Sequence, residues 1–295
     1  VALNSTTNAA ELTAEQVRTV LVQPLEQRSL FLAAVQAAGG TIIDTAGPLR
    51  IPRMAPATTP EWYAQNEQIG EEDPDFGELE LLPSNMKSVK VITRFSNELA
   101  RQSVVALDAA LRTRLVTDVA ATVDTQLFSD SDGTTGVTGG VLPAGIFSYA
   151  SGGNAVPTAS WTIDGLIEAQ GVMLGDHIDP AGLRWVLTPA AFTAIRKIKT
   201  ATGSNQPVLQ PDVSRAGGFT VLGTPVLITD RVPTGVEGGL VDFSKVVVAR
   251  DVAPSVKFLD QTYGDFDQQA IRVVYRLDAK PTHDEAVFAF TTPTP

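Results

Sequence analysis

The densest chemistry in the chain is a run of carboxylates. Between Glu61 and Glu80 eight residues are acidic (positions 61, 67, 71, 72, 73, 75, 78 and 80) and none is basic. Two such carboxylates can hydrolyse a glycoside, but the separation of the pair decides that chemistry, and the sequence of a loop fixes no separation. A charge run of this kind also reads as a solvated loop, or as a surface that meets basic groups elsewhere.

The other candidates are thinner. Cysteine is absent, which excludes thiolate nucleophiles, disulfides and Cys-bound zinc. The two histidines, His177 and His283, are far apart in sequence. His177 stands beside Asp176 and Asp179, a conceivable ligand group, yet a loop histidine among solvated carboxylates accounts for it as well. Gly133, Gly136, Gly139 and Gly140 have the look of a phosphate loop, but no Gly-Lys-Ser/Thr follows and the dinucleotide fingerprint is not met. A flexible connection is the expectation there. No nucleophile elbow of the Gly-x-Ser-x-Gly type occurs. Basic residues interleaved with aromatics are concentrated nowhere. The sequence therefore assigns no catalytic, cofactor-binding or metal residue, and no cofactor.

The elements that would hold the acidic run are clearer. Thr41 to Ile51 reads as a strand. An irregular stretch follows, with five prolines from Pro52 to Pro83 and the aromatics Trp62, Tyr63 and Phe76. Leu79 to Arg94 alternates as a returning strand. Strand, acidic excursion and return make one extended hairpin, and an excursion of that length in a compact domain is generally functional. The hairpin feeds the longest helical pattern in the chain, Ser96 to Phe128. Val104, Leu107, Leu111, Leu115, Val119, Val123 and Leu127 recur every three or four residues along it. Unbroken, it would span about 50 Å. The cluster Ser129 to Gly133 stops it.

Before the hairpin, residues 1–15 read as an extended arm. Thr13 opens a capping box, Pro24 interrupts it, and Leu25 to Val35 form a second apolar segment ended by Gly39-Gly40. After the long helix come a helix at Thr162 to Leu174, with Ile163, Leu166, Ile167, Ala169 and Val172 making apolar contacts, and a buried strand at Arg184 to Leu187. A helix from Pro189 follows, then an exposed loop at 200–218 and two short strands within Phe219 to Thr229. The last strands are Val241 to Val248, the pair Val256 to Leu259 and Ala270 to Leu277, and Ala286 to Phe290. This order is α+β, without regular alternation.

Length and composition fit a folded protein with a core of good size: 295 residues, 43% hydrophobic. No apolar run approaches the roughly 18 residues of a membrane span. The polar N-terminus carries no signal-peptide pattern. A net charge of -11 disfavours specific nucleic-acid binding through a broad basic face, though a wall that merely encloses DNA is compatible with it.

Four stretches carry a resemblance. They are KVITRFSNELARQS at Lys90 to Ser103, GGFTVLGTPVLITDRVP at Gly217 to Pro233, LVDFSKVVVARD at Leu240 to Asp251, and FDQQAIRVVYRLDAKPTHDEAVFAF at Phe266 to Phe290. In this order and spacing the chain resembles a major capsid protein of a tailed bacteriophage, with the Hong Kong 97 type of capsid fold. The resemblance implies an N-terminal arm (1–40), an extended-loop hairpin with flanking strands (41–95), and a spine helix of a peripheral domain (96–133). It further implies an axial domain (134–239), peripheral-domain strands with a tip loop (240–280), and a C-terminal strand returning to the axial domain (281–295).

The implied function is structural: pentamers and hexamers of one chain that self-assemble into an icosahedral head around double-stranded DNA, without sequence-specific binding and without a membrane. Scaffolding, portal and decoration proteins are the further partners implied, and assembly would take place in the host bacterial cytoplasm. A cargo-loaded nanocompartment of the same fold, a carbohydrate-active hydrolase and a monomeric binding module are the other readings. On the capsid reading, the residues expected between subunits are Trp62, Tyr63, Glu67, Glu71, Glu72, Asp73 and Asp75 of the hairpin. Their expected partners are Arg112 and Arg114 of the long helix and Arg272 and Arg276 of a later strand. Some members weld subunits through a loop lysine. No lysine lies between Arg53 and Met86 here, and Lys87 and Lys90 sit at the loop's base, so no such cross-link is expected. No scaffolding segment is expected within this sequence.

Overall fold

Ser29 begins the described part of the chain by capping a helix. Its hydroxyl accepts from the Leu32 amide at 3.3 Å. The helix, α1 (Leu30–Ala38), ends where Gly39 takes a left-handed φ of 81°, a conformation costly for a residue with a Cβ. The computed structural model describes residues 29–54, 62–66, 76–96, 114–135, 137–150, 152–158, 161–199, 219–233, 235–251, 255–259 and 267–292. The helix expected from Thr13, the tip of the acidic run, the first half of the long helix, the 200–218 loop and most of the tip loop lie outside these residues.

From α1 the chain runs through β1 (Thr41–Asp44), β2 (Leu49–Met54), β3 (Phe76–Leu81) and β4 (Val89–Ser96). Helix α2 occupies 114–127. Then follow β5 (Ala155–Pro157), α3 (Ile163–Gly175), β6 (Leu183–Leu187), α4 (Pro189–Arg196), β7 (Thr220–Val221), β8 (Thr224–Ile228) and β9 (Val236–Asp242). The chain closes with β10 (Val246–Arg250), β11 (Ser255–Leu259), β12 (Gln268–Tyr275), β13 (Leu277–Pro281) and β14 (Val287–Thr291).

These strands form a six-stranded sheet in the order β5-β14-β9-β6-β8-β7, two three-stranded sheets (β1-β10-β13 and β11-β12-β4) and the pair β2-β3. Alternation makes the six-stranded sheet a partition between two cores. Val287 and Ala289 of β14 and Val186 of β6 face a core built on Phe31, Val35, Leu115, Val119, Val123, Leu127, Phe243 and Val273. Phe288, Phe290 and Trp185 face a second core under α3 and α4, with Leu166, Met173 and Ile195. Each such side chain contributes about 1.5–3 kcal/mol on leaving water. The heptad-like face of the long helix is thus its core face wherever it is described.

Three expected strands are each broken in two. Thr41 to Ile51 splits into β1 and β2, because Thr45 folds back on Gly47 through its hydroxyl, just before Pro48. Val241 to Val248 splits at a tight helical turn, Phe243–Lys245, capped by Asp242, whose carboxylate accepts from the Ser244 amide at 2.9 Å. Leu79 to Arg94 splits at Leu82, which has φ 53°. In each case a side-chain cap or a turn outweighs strand propensity and sends the halves to different sheets.

The segment after α2 is not a flexible connection. Asp132 accepts from Thr134 Oγ1 at 2.7 Å and from the Thr135 amide at 3.0 Å, and these bonds hold its carboxyl far below the usual range. Val141 bridges to Met86, and Ile146 and Phe147 are buried in the first core. Two residues expected to pack inside α3, Ile167 and Val172, stand exposed instead.

Candidate assembly interface

The β2–β3 pair forms a two-stranded arm that carries Glu78 and Glu80, the described end of the acidic run. Its register runs from Leu49 opposite Leu81 at the base to Met54 opposite Phe76. Burial fades along β3 from Leu81, wholly enclosed, to Phe76, which is 64% exposed. Arg50 and Glu78 pair at 3.2 Å in the open. Beyond the described part of the pair, Trp62 is fully exposed and Tyr63 partly so. An indole held entirely in water is an unused binding surface, because Trp buries a large apolar area when it is covered.

The base of the arm is fastened from β13. Asp278 is buried, and its carboxylate accepts from the amides of Leu82 at 3.0 Å and Ala279 at 2.9 Å. Burial pushes its carboxyl up from the ordinary 3.8, against the opposing pull of the Leu82 amide. Arg276 Nη2 donates to the Pro83 carbonyl at 2.7 Å. A small core of Leu81, Leu82, Met86, Val247 and Ala249 lies beneath. The positive φ of Leu82 is therefore held by bonds on both sides of the turn.

Sheet β11-β12-β4 offers a basic surface. Its inward face carries Val89, Val91, Ile271, Val273 and Tyr275 against the first core. The alternate positions face away from that core. In register, Lys257 lies opposite Arg272, and Arg272 opposite Ile92. Lys90 and Arg94 flank Ile92 on the same strand face and are exposed. No acidic residue occupies a described position of that face. Among the described residues, the buried Nε of Arg272 has no hydrogen-bond partner.

The expected site residues separate accordingly. Trp62, Tyr63, Arg272 and Arg276 are described, with Arg276 committed in part to the arm's base. Arg114 is exposed and pairs with Asp118 of its own helix at 3.0 Å. Glu67, Glu71, Glu72, Asp73, Asp75 and Arg112 lie outside the described residues. Lys90, Arg94 and Lys257 were missed. Their signal is a cation at alternate strand positions opposite an apolar face, as in KVITR. His177 sits in a turn with φ 61°. Among the described residues no group of His, Asp and Glu side chains is placed to hold a metal ion, and no helix is long and apolar enough to cross a membrane.

The described residues thus combine a two-stranded arm, a basic sheet face and paired sheets around two cores. The family model of the phage capsid family matches residues 10–291, and the chain belongs to that family. No curated protein sequence matches it. Among solved structures it resembles the capsid of a native GTA particle (TM-score 0.71, 13% identity, covering 88% of this chain and 90% of that one). It also resembles chains from Microbacterium phage Oxtober96 (0.69, 17%, 88% and 91%) and Mycobacterium phage Bobi (0.66, 15%, 89% and 91%). These likenesses identify the fold as the Hong Kong 97 type.

Proposed function

We infer that this major capsid protein of a tailed phage builds its shell from rings of five and six copies, closed with icosahedral symmetry around double-stranded DNA. The observation that carries the reading is the pairing of opposites within one chain: an arm with exposed Trp62 and a run of carboxylates, and a sheet face bearing Lys90, Arg94, Lys257 and Arg272. A two-stranded arm is marginal alone in water and gains stability when a neighbour covers it. The arm of one copy therefore lies on the basic face of the next, with Glu67, Glu71, Glu72, Asp73 and Asp75 meeting Arg272 and its neighbours.

On this reading the residues before α1 are an arm and β2 with β3 the stem of the extended loop, while α1, β1, β4, 96–133 and 240–280 make up the peripheral domain and 134–239 with 281–295 the axial domain. The acidic net charge of -11 suits a wall that encloses DNA without gripping its phosphates. Assembly takes place in the host bacterial cytoplasm, with scaffolding, portal and decoration proteins as further partners.

Size-exclusion chromatography with electron microscopy tests this. The unaltered chain should form closed shells. Joint reversal of Glu71, Glu72 and Asp73 to Lys, or of Lys257 and Arg272 to Glu, should leave folded subunits that do not close, and combining both sets should recover shells. Shells of unchanged stability from either reversed set would remove the docking of arm on sheet.

A further inference from the structure

Helix α3 keeps a side that its own described chain does not cover. Leu166, Ala169 and Met173 are spent on the second core. Ile167 and Leu174, one helical face apart from these, are each 51% exposed. Gly171 lies between them, and a Cβ placed there would meet no atom within 4 Å, so the stripe is shallow and open. Asp164 and Glu168 border it and are exposed. An apolar stripe rimmed by charge is the mark of a contact surface.

The end of α4 has the opposite character. Phe192 and Phe219 meet edge to face with their rings 5.0 Å apart, and Phe219 is 44% exposed. The Arg196 guanidinium lies over both rings, 5.6 Å from one centroid and 5.9 Å from the other. Lys197 is exposed beside it. This surface is aromatic and basic, where the α3 stripe is aliphatic and acidic.

The two surfaces are complementary in hydropathy and in charge. Neither suits a two-fold contact with its own copy, which would set Asp164 and Glu168 near their equivalents, or Arg196 near its own. A contact between unlike surfaces is head-to-tail, and repeated by rotation it closes a ring. We propose that the Ile167–Leu174 stripe of one copy docks on the Phe219–Arg196–Lys197 surface of the next copy in the same ring. This rests on the shell reading above and names the faces that join within a capsomer.

The test mixes subunits of natural and heavy-nitrogen composition, assembles them, and joins touching carboxylates and amines with a zero-length carbodiimide. Mass spectrometry should find Asp164 or Glu168 linked to Lys197 in peptides of mixed mass. Ile167→Glu and Arg196→Glu should each lower that yield by about tenfold or more, equivalent to about 1.4 kcal/mol of contact. Their thermal melts should stay unchanged, because both side chains are at the surface. The exchange Glu168→Lys with Lys197→Glu should retain ring formation. Shells that form without a mixed-mass α3–α4 link, or links of uniform mass only, would overturn this contact and leave the shell reading intact. A chain that stays monomeric at every concentration would overturn both.

Discussion

Arg231 Nη1 lies 2.5 Å from Asp124 Oδ2, across 107 residues of sequence. Asp124 is wholly buried on α2 and also accepts from the Ser29 hydroxyl and, at 2.9 Å, from the Leu30 amide. One carboxylate thus ties the start of α1, the core side of α2 and the loop after β8. Removing one partner of such a pair leaves the other charge poorly solvated, which costs about 3–5 kcal/mol in a buried setting. The Arg231 side chain keeps 23% of its surface in water, so the lower end applies. Asp124→Ala should lose about 3 kcal/mol of stability in urea unfolding. A loss below about 1 kcal/mol, the range of a surface pair, would show that the node is not a structural tie.

Asp278 gives the stability a pH dependence of a less usual sign. Burial raises its folded pKa above the ordinary 3.8. Between those two values the folded chain holds a proton that the unfolded chain has released, so this group's contribution is complete below 3.8 and declines as pH rises through its folded value. Asp278→Asn cannot titrate and loses one of the two acceptor positions used by Leu82 and Ala279. The variant should be less stable than the parent at low pH, and the gap should narrow as pH rises above 3.8. Urea titrations of both proteins at a series of pH values check this; a gap that widens with pH would contradict the assigned direction.

Local pattern carried the sequence reading wherever a single element decided the outcome. Leu115, Val119, Val123 and Leu127 announced a core face by period, and β11 and β12 announced their pairing by two apolar runs around a turn. The breaks at Thr45, Leu82 and Phe243 were harder, because each depends on a cap or turn of two or three residues inside an apolar run. Ile167 and Val172 share apolar character with Leu166 and Ala169, and only packing tells a covered side from an open one. The Asp124–Arg231 tie and the Asp278–Leu82 bond join residues 107 and 196 positions apart, and no local pattern encodes such pairs. The basic face of β4 and β12 was half legible. Arg272 and Arg276 stood out as a pair, whereas Lys90 and Arg94 gain meaning only once β4 lies antiparallel to β12.

Gly239 sits in β9 where the sheet leaves no room. A Cβ there would fall on the Phe288 carbonyl of the neighbouring strand and 2.5 Å from the Phe147 ring. The obstacle is backbone of a central strand on one side and a buried ring on the other, so neither yields cheaply. Gly239→Ala should cost about 2 kcal/mol or more through overpacking. Thermal unfolding checks this, with Gly171→Ala as the control. That site lies open on α3, where Ala should be neutral or stabilising by up to about 1 kcal/mol.

Lys87 Nζ donates to the Thr138 carbonyl, and Lys90 stands on the basic face of β4. Both lie at the foot of the arm, while positions 54–86 contain no lysine at all. An isopeptide weld of the kind some capsid proteins form needs a lysine carried out on the loop to a neighbour's asparagine. Here the nearest amine on the returning strand is already bonded within its own chain, at the wrong end of the arm. On the proposed docking, shell strength comes from noncovalent contacts such as those of Trp62 and the carboxylate run. Mature particles boiled in denaturant should run as a single band of monomer mass, and their shells should weaken as salt screens the charged contacts. A ladder of covalent oligomers, or shells indifferent to salt, would contradict this account of what holds the copies together.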